Sequence, residues 1–368
     1  MHTHLCLISG QPTPNLVPLL DRSFRPLQAI FLVSPDMREQ AEWLKAAVQP
    51  SGVKVMMHEI NDPWSVEQVR EVVLALLAAH GSDEVALNAT GGTKPMSIAA
   101  YEVFRGLDLP IFYVHPEKDR VIWMHPADRC AFNIEDRVRL PQFLQAHGVE
   151  VRAATHTAMP RHHRKLCEDL VAQVSRFSTP FATLNYMAWT AGQTLEAEIP
   201  SDKRGWKALA DLIDRFADVG LLQRSGRRII FSDEEARFFV NGGWLEQQIF
   251  SLLWEIKKGG DVGIHDLAQG VEVSRSGVCN ELDVALLLNN RLHLIECKTK
   301  RVQQGGADML YKLDALTGAL GGIKARSLLV SYHPLSKADQ RRAHEAKIAI
   351  CTGNALHGLE GYLRRWIR

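Results

Sequence analysis

The sequence predicts an α/β protein in three successive parts: an N-terminal Rossmann-like sheet, a helical middle module ending in a hairpin, and a second α/β unit at the C-terminus. Three observations carry this expectation. Short β-type runs alternate with helical stretches over 1–150, amphipathic helical patterns fill 160–241, and an apolar hairpin interrupted by acids and a lysine sits at the centre of 242–368. A chain of 368 residues, 46% of them hydrophobic, has the material for more than one core, and the length suggests roughly two or three domains.

Composition excludes several classes. No apolar run reaches membrane-spanning length, and the N-terminus lacks the charged-then-apolar order of a secretory signal. Cys6, Cys130, Cys167, Cys279, Cys297 and Cys351 are scattered without a C-x-x-C pair. That spacing argues against zinc knuckles and a disulfide scaffold, and fits a reducing cytoplasm. A formal net charge of +1 means that any nucleic-acid contact comes from local basic patches.

In the first part, His4–Ser9, Ala29–Val33, Lys54–Glu59, Glu84–Ala89 and Pro110–Val114 read as strands, and Met37–Val48, Val66–Ala79 and Pro95–Gly106 as helices. Such alternation builds a mostly parallel sheet whose ligands bind beyond the carboxyl ends of its strands. Two of those ends are specialised. The first strand runs into Ser9-Gly10-Gln11-Pro12, and the fourth into Asn88-Ala89-Thr90-Gly91-Gly92-Thr93-Lys94-Pro95 at a helix start. The glycine pair permits close backbone approach, the Thr90 and Thr93 hydroxyls donate hydrogen bonds, and Lys94 adds positive charge at an anion-favouring helix N-terminus. The spacing is neither a Walker A loop nor a dinucleotide fingerprint. Phosphate or nucleotide binding and a purely structural glycine turn both stand.

In the middle part, Leu166–Arg176, Ala182–Ala191 and Trp206–Val219 are helical patterns, followed by a hairpin from Leu221 to Phe231 turning at Ser225-Gly226. Helices followed by a basic-tipped hairpin suggest a winged-helix-like module. Arg224, Arg227 and Arg228 would contact phosphates, although such modules also serve as spacers and dimer contacts.

Gly242-Gly243 separates this module from the amphipathic helix Trp244–Lys258, with Leu245, Ile249, Leu252, Leu253 and Ile256 on one stripe. Glu246 on that helix either faces the site described next or is an ordinary solvent-facing acid. Beyond the hairpin, Gln303–Leu320 reads as a helix, Ser327–Tyr332 as a strand and Lys337–Lys347 as a helix. This order matches the α/β core of restriction-endonuclease-like nucleases.

The hairpin turns at Asn289-Asn290, a pair that tolerates the positive φ of a type I′ turn. Pairing Leu288 with Arg291 sets Asp283 opposite Glu296 and Glu281 opposite Lys298. Alternation then places Glu281, Asp283, Glu296 and Lys298 on one face, with Leu282, Val284, Leu286, Ile295 and Cys297 on the other. Directly paired Cβ atoms lie roughly 4.5–5.5 Å apart, close enough for Asp283 and Glu296 to hold one divalent ion. Mg²⁺ or Mn²⁺ there would polarise a phosphate and acidify water, with Lys298 orienting that water or stabilising developing charge. The bland alternative is a surface hairpin with one cross-strand ion pair.

Together these residues resemble the CRISPR-associated Rossmann-fold (CARF) effector nucleases of type III CRISPR systems. The resemblance is carried by Asn88–Met96, Pro18-Leu19-Leu20-Asp21, Tyr101-Glu102-Val103-Phe104-Arg105, Asn241-Gly242-Gly243-Trp244-Leu245-Glu246, and Asp283 with Glu296-x-Lys298. It implies a CARF sensor at 1–150, a winged-helix-like segment at 160–241 and a PD-(D/E)xK nuclease domain at 242–368. Leu282 stands where the motif's name has Pro. It further implies a homodimer binding one cyclic oligoadenylate, cyclic tetra-adenylate above all, as allosteric activator of metal-dependent cutting of single-stranded RNA or DNA, with nicking of duplex DNA included. The sensor residues carried over are Ser9, Gly10, Gln11, Thr90, Gly91, Gly92, Thr93 and Lys94, beside Asn88. Two rivals share the sensor: a ligand-regulated transcription factor using the middle module, and a ring nuclease cleaving the messenger itself. The intact Asp283, Glu296 and Lys298 set argues against the first.

Overall fold

The computed structural model describes residues 2–81, 84–115, 118–135, 137–301 and 306–368. In its N-terminal part the elements are β1 (Thr3–Leu7), α1 (Thr13–Leu20), β2 (Gln28–Val33), α2 (Arg38–Val48), β3 (Lys54–Glu59), α3 (Val66–His80), β4 (Val85–Asn88), α4 (Lys94–Gly106), β5 (Ile111–His115), β6 (Arg120–His125) and β7 (Phe132–Asn133). The seven-stranded sheet has the order β3-β2-β1-β4-β5-β6-β7. The first five strands pair in parallel, and β6 and β7 extend the sheet antiparallel. Ala29, Ile30, Phe31, Leu32 and Val33 are all buried, as expected of a strand covered on both faces. Chain order reverses between β1 and β4, so the loops after those two strands open onto one crevice at a topological switch point.

After α5 (Leu140–Ala146), strand β8 (Glu150–Thr155) leaves this sheet and becomes the edge of another. The middle module then comprises α6 (Arg161–Ala172), α7 (Val174–Ala191), β9 (Glu196–Glu198), α8 (Lys207–Asp218), β10 (Leu222–Ser225), β11 (Arg228–Phe231) and α9 (Glu234–Phe238). Strands β10, β11 and β9 form a small antiparallel sheet. Ser225 pairs with Arg228, so the hairpin turns at Gly226-Arg227, one residue later than expected, with Gly226 supplying φ +58°. Arg228 ion-pairs with Glu196 and Glu198, and Arg224 reaches Asp214, so acids hold two of the three arginines at this tip.

The C-terminal part holds α10 (Trp244–Gly259), β12 (Ile264–Arg275), β13 (Val278–Leu288), β14 (Arg291–Lys298), α11 (Gly306–Gly321), β15 (Arg326–Ser331), α12 (Lys337–Glu345), β16 (Ala349–Thr352) and α13 (Leu359–Trp366). The expected start of α11 at Gln303 falls partly on residues outside those described. These strands form a six-stranded sheet of order β16-β15-β14-β13-β12-β8. No helix among the described residues is long and apolar enough to cross a membrane.

The second sheet buries both faces. Val284, Leu286, Ile295 and Cys297 pack into one core with Phe181, Trp244 and Ile249. Ala285, Leu287, Leu292 and Leu294 share a different core with Leu44 of α2, Phe143 of α5 and Phe31 of β2. The N-terminal part therefore packs directly on the hairpin sheet. Arg139 Nη1 donates to His265 O at 2.7 Å and Leu140 N to Asp266 Oδ2 at 2.7 Å across the same junction.

Candidate functional site

The register of the β13–β14 hairpin follows from its turn. Asn289 and Asn290 adopt φ +49° and +48°, the left-handed pair of a type I′ turn. Leu288 pairs with Arg291 and the ladder continues in step to Val284 and Ile295. There it ends. Instead of a further main-chain pair, the Cys297 N–H donates to Asp283 Oδ2 at 2.7 Å. Asp283 and Glu296 thus sit just beyond the last paired residues.

The expected alternation also slips at Asp283. Leu282 packs with Ala285 and Leu287, while Val284 and Leu286 pack on the opposite side. On the neighbouring strand Ala268 and Val271 likewise share a side, and Gly270 between them has φ +54°. A left-handed glycine of this kind kinks a strand and re-aims its neighbours. Leu282 consequently faces away from Val284, contrary to the sequence expectation. Glu281 is exposed and pairs with Glu272 of β12 rather than lying opposite Lys298. Lys298 Nζ instead meets Glu296 Oε1 at 2.6 Å.

Glu246, from the first turn of α10, faces this group rather than solvent. Burial, then the negative charges of Asp283, Glu281 and Glu296 against the opposing Lys298, push its carboxyl up to about 9. Burial and repulsion from Glu296 raise Asp283 to about 7, against the favourable pull of Lys298 and the Cys297 N–H. Burial works against the charge of Lys298, yet Glu296 and Asp283 outweigh it and hold the ammonium above its ordinary value. Four carboxyl groups around one lysine are an excess of acid that a single ammonium cannot balance, and the raised Glu246 and Asp283 register that crowding. That excess and the all-oxygen donor set fit a hard divalent cation. Among the described residues no three His, Cys, Asp or Glu side chains stand close enough together to hold a metal ion. Two carboxylates, Asp283 and Glu296, are what the chain offers.

The loops after β1 and β4 meet through Asn88. This buried side chain donates from Nδ2 to Pro14 O at 3.0 Å and Asn15 Oδ1 at 2.9 Å, and its Oδ1 accepts from Thr90 N and Thr90 Oγ1. Thr90 Oγ1 accepts in turn from Val114 N at 2.8 Å. Asn15 was missed in the sequence. It is buried and donates to Leu7 O at 2.9 Å, but its place between prolines reads as ordinary loop. Gly91 lies so close to β1 that a Cβ would stand 2.1 Å from Leu7 O, and Gly92 has φ +76°. Thr93 caps α4, accepting from Met96 N at 3.2 Å and donating to Pro63 O at 2.8 Å. Lys94 and Gly10 are exposed, Ser9 and Gln11 half-buried. Gln11 and Thr90 line a cavity of about 260 Å³ together with Asn289, Arg291 and Lys324. The far end of the acidic hairpin therefore abuts the crevice.

Residues 3–143 match the family model of the Card1 CARF domain, and residues 233–368 that of the Card1-like endonuclease domain. Over its whole length the chain is 30% identical to protein VC1899 from Vibrio cholerae, whose crystal structure superposes with a TM-score of 0.91 and is covered to 98%. The chain belongs to the Card1-like CARF endonucleases. Can2 from Sulfobacillus thermosulfidooxidans, solved in complex with cyclic tetra-adenylate, is 26% identical, with a TM-score of 0.85 and all of both chains covered. A type III CRISPR defence DNA nuclease activated by cyclic oligoadenylate shares the fold at 19% identity and a TM-score of 0.55, over 89% of this chain and 45% of that one. No curated protein sequence matches. The parallel sheet with its switch-point loops is the CARF part, and the sheet with the acidic hairpin belongs to the endonuclease part.

Proposed function

We propose that this CARF endonuclease is activated by cyclic tetra-adenylate and cuts single-stranded RNA or DNA with a divalent metal ion, acting as a homodimer in type III CRISPR defence. The observation that carries the reading is the gathering of Asp283, Glu296, Lys298 and Glu246 at one sheet end. The full-length likeness to Can2, solved with cyclic tetra-adenylate, supports the choice of activator.

Asp283 and Glu296 would hold a Mg²⁺ or Mn²⁺ ion, which supplies Lewis-acid polarisation of the scissile phosphate and a more acidic bound water. Lys298, charged and held against Glu296, stabilises negative charge developing on the phosphate oxygens. Glu281 adds negative potential that attracts the cation; Glu246, held up to about 9 in the metal-free protein, does so only when ionised. The Cys297 N–H fixes the Asp283 carboxylate in place.

In the CARF crevice, Lys94 and the α4 N-terminus meet the messenger's phosphates, as do backbone N–H groups of Gly91 and Gly92. Ser9, Gly10 and Gln11 complete the contacts, while Thr90 and Thr93 shape the loop, their hydroxyl protons already given to Asn88 and Pro63. Asn88 is a positioning residue, since its amide is spent on joining the two loops. A two-fold symmetric polyanion suits an isologous dimer presenting two such crevices.

The test is to incubate the protein and Mn²⁺ with labelled RNA, single-stranded DNA and plasmid, adding each ring size of cyclic oligoadenylate in turn. Cutting of single strands that depends on the tetra-adenylate is expected. No cutting of any substrate under any ring size overturns the reading.

A further inference from the structure

Helix α7 is fastened to the residue that follows Lys298. Asn185, 2% exposed, donates from Nδ2 to Thr299 Oγ1 at 3.3 Å and to Thr299 O at 3.5 Å. On its other side Thr299 lies against Gly242, where a Cβ would stand 2.3 Å from Thr299 Oγ1. Thr299 is thereby clamped between α7 and the start of the helix that carries Glu246.

One turn along that face, α7 exposes two large rings. Ala182, Asn185, Tyr186 and Trp189 recur at the spacing of one helix face, and with Lys300 and Arg301 they line an open cavity of about 350 Å³. Tyr186 is 59% exposed and Trp189 62%. Their ring centroids are 6.1 Å apart with planes tilted by 36°. Neighbouring aromatics left this open mark a surface that something covers. The lining contains two cations and no acid, so the occupant is anionic as well as flat. An unpaired nucleic-acid strand has both properties, because its bases stack on aromatic rings and its phosphates meet lysine and arginine. A duplex keeps its bases stacked inside and cannot use such rings. Lys300 and Arg301 continue directly from Lys298 and Thr299, which places their charges beside the path to Asp283 and Glu296.

We propose that the Tyr186–Trp189 face of α7, flanked by Lys300 and Arg301, is the platform on which the single-stranded substrate stacks next to the catalytic carboxylates. The proposal rests on the nuclease reading above and adds the residues that select single strands.

The test uses the full-length protein saturated with cyclic tetra-adenylate and kept free of divalent metal, so that binding is read without cutting. Fluorescence anisotropy measures the affinity for labelled oligo-dT and oligo-U, the two arms separating DNA from RNA. The double variant Tyr186→Ala/Trp189→Ala should bind either strand about tenfold more weakly or worse, while Tyr186→Phe/Trp189→Phe stays near wild type. Lys300→Ala/Arg301→Ala should flatten the salt dependence of binding. With Mn²⁺ added, the aromatic double variant should raise KM and leave kcat nearly unchanged. Wild-type affinity in the aromatic double variant, with an unchanged salt slope in the basic one, overturns the proposal. Loss of self-association by sedimentation with oligonucleotide binding intact also overturns it, assigning the face to a second copy of the chain. Strand binding by the wild type without any cutting would instead sink the nuclease reading and leave the platform in place.

Discussion

Cys297 donates its backbone N–H to Asp283 Oδ2 at 2.7 Å, at the point where the β13–β14 ladder stops. The strand exchanges a main-chain pair for a bond to a carboxylate, and that bond orients the acid beside Glu296. Because burial and Glu296 still raise the Asp283 carboxyl to about 7, the place is set up for charge that something else must balance.

Asp283→Asn keeps an oxygen acceptor for Cys297 and removes the charge. Cutting should fall by about 100-fold or more, because the variant loses one of the two proposed anionic metal donors. The melting temperature in metal-free buffer at pH 8 should hold or rise, since a repulsive charge is gone. A cutting rate within a few-fold of wild type in a gel assay would remove Asp283 from the site.

The raised acids set a pH dependence for the metal-free protein. Glu246 is held at about 9 when folded, well above an unfolded glutamate, so the folded state keeps a proton that the unfolded state releases. Its contribution is complete below the unfolded value and is lost as pH rises toward 9. Asp283 acts the same way between the unfolded aspartate range and about 7. Thermal melts in chelator should show stability falling from about pH 5 to pH 9, and millimolar Mn²⁺ should flatten the slope by neutralising the cluster. A metal-free profile that rises through this window would contradict the assignment.

Much of this was legible in the residues, and the misses have physical causes. Asn289-Asn290 specified the turn and hence the register, because few pairs accept two positive φ angles. The side change at Leu282 was not legible, since it is coupled to Gly270 on a strand that pairs only in three dimensions. Strand β8 was missed because Glu150, Arg152, Ala153, Ala154 and Thr155 are exposed on an edge and carry no alternating apolar signal. Helix α1 hid among Pro12, Pro14 and Pro18, although proline is welcome in a first turn. Glu246 was undecided because it stands far from Asp283 in sequence. Chain order alone would make the middle module the link between the two sites, but the core shared by α2, α5 and the hairpin sheet joins the N-terminal and C-terminal parts directly.

Lys94 and Asn88 should separate binding from scaffolding. Lys94→Ala, at an exposed position, should weaken cyclic tetra-adenylate binding about tenfold or more without moving the melting temperature. Asn88→Ala removes several buried hydrogen bonds and should cost about 1–3 kcal/mol of stability as well as affinity. Calorimetric titration paired with thermal melts checks both; unchanged affinity in Lys94→Ala would take that residue out of the ligand contacts.

The crevice and the endonuclease part touch at Gln11 and Gly322, where a Cβ would stand 2.4 Å from Gln11 Oε1 and the backbone has φ +66°. Close by, Asn290 Nδ2 donates to Asp119 Oδ2 at 3.2 Å. Gly322→Ala should displace Gln11 and raise the half-activating messenger concentration by about three- to tenfold, within the usual range of coupling energies. The rate at saturating messenger should stay near wild type. A dose–response curve of cutting reads this directly, and an unshifted midpoint would show that activation does not pass through this contact.

The most direct test of a messenger-controlled catalytic hairpin compares wild type with Glu296→Ala in one experiment, measuring cyclic tetra-adenylate affinity and messenger-dependent cutting of single-stranded nucleic acid in Mn²⁺. Equal affinity is expected in both proteins, with cutting in the wild type alone. Cutting that survives in Glu296→Ala, or messenger binding lost along with it, would contradict a catalytic hairpin governed by a separate CARF crevice.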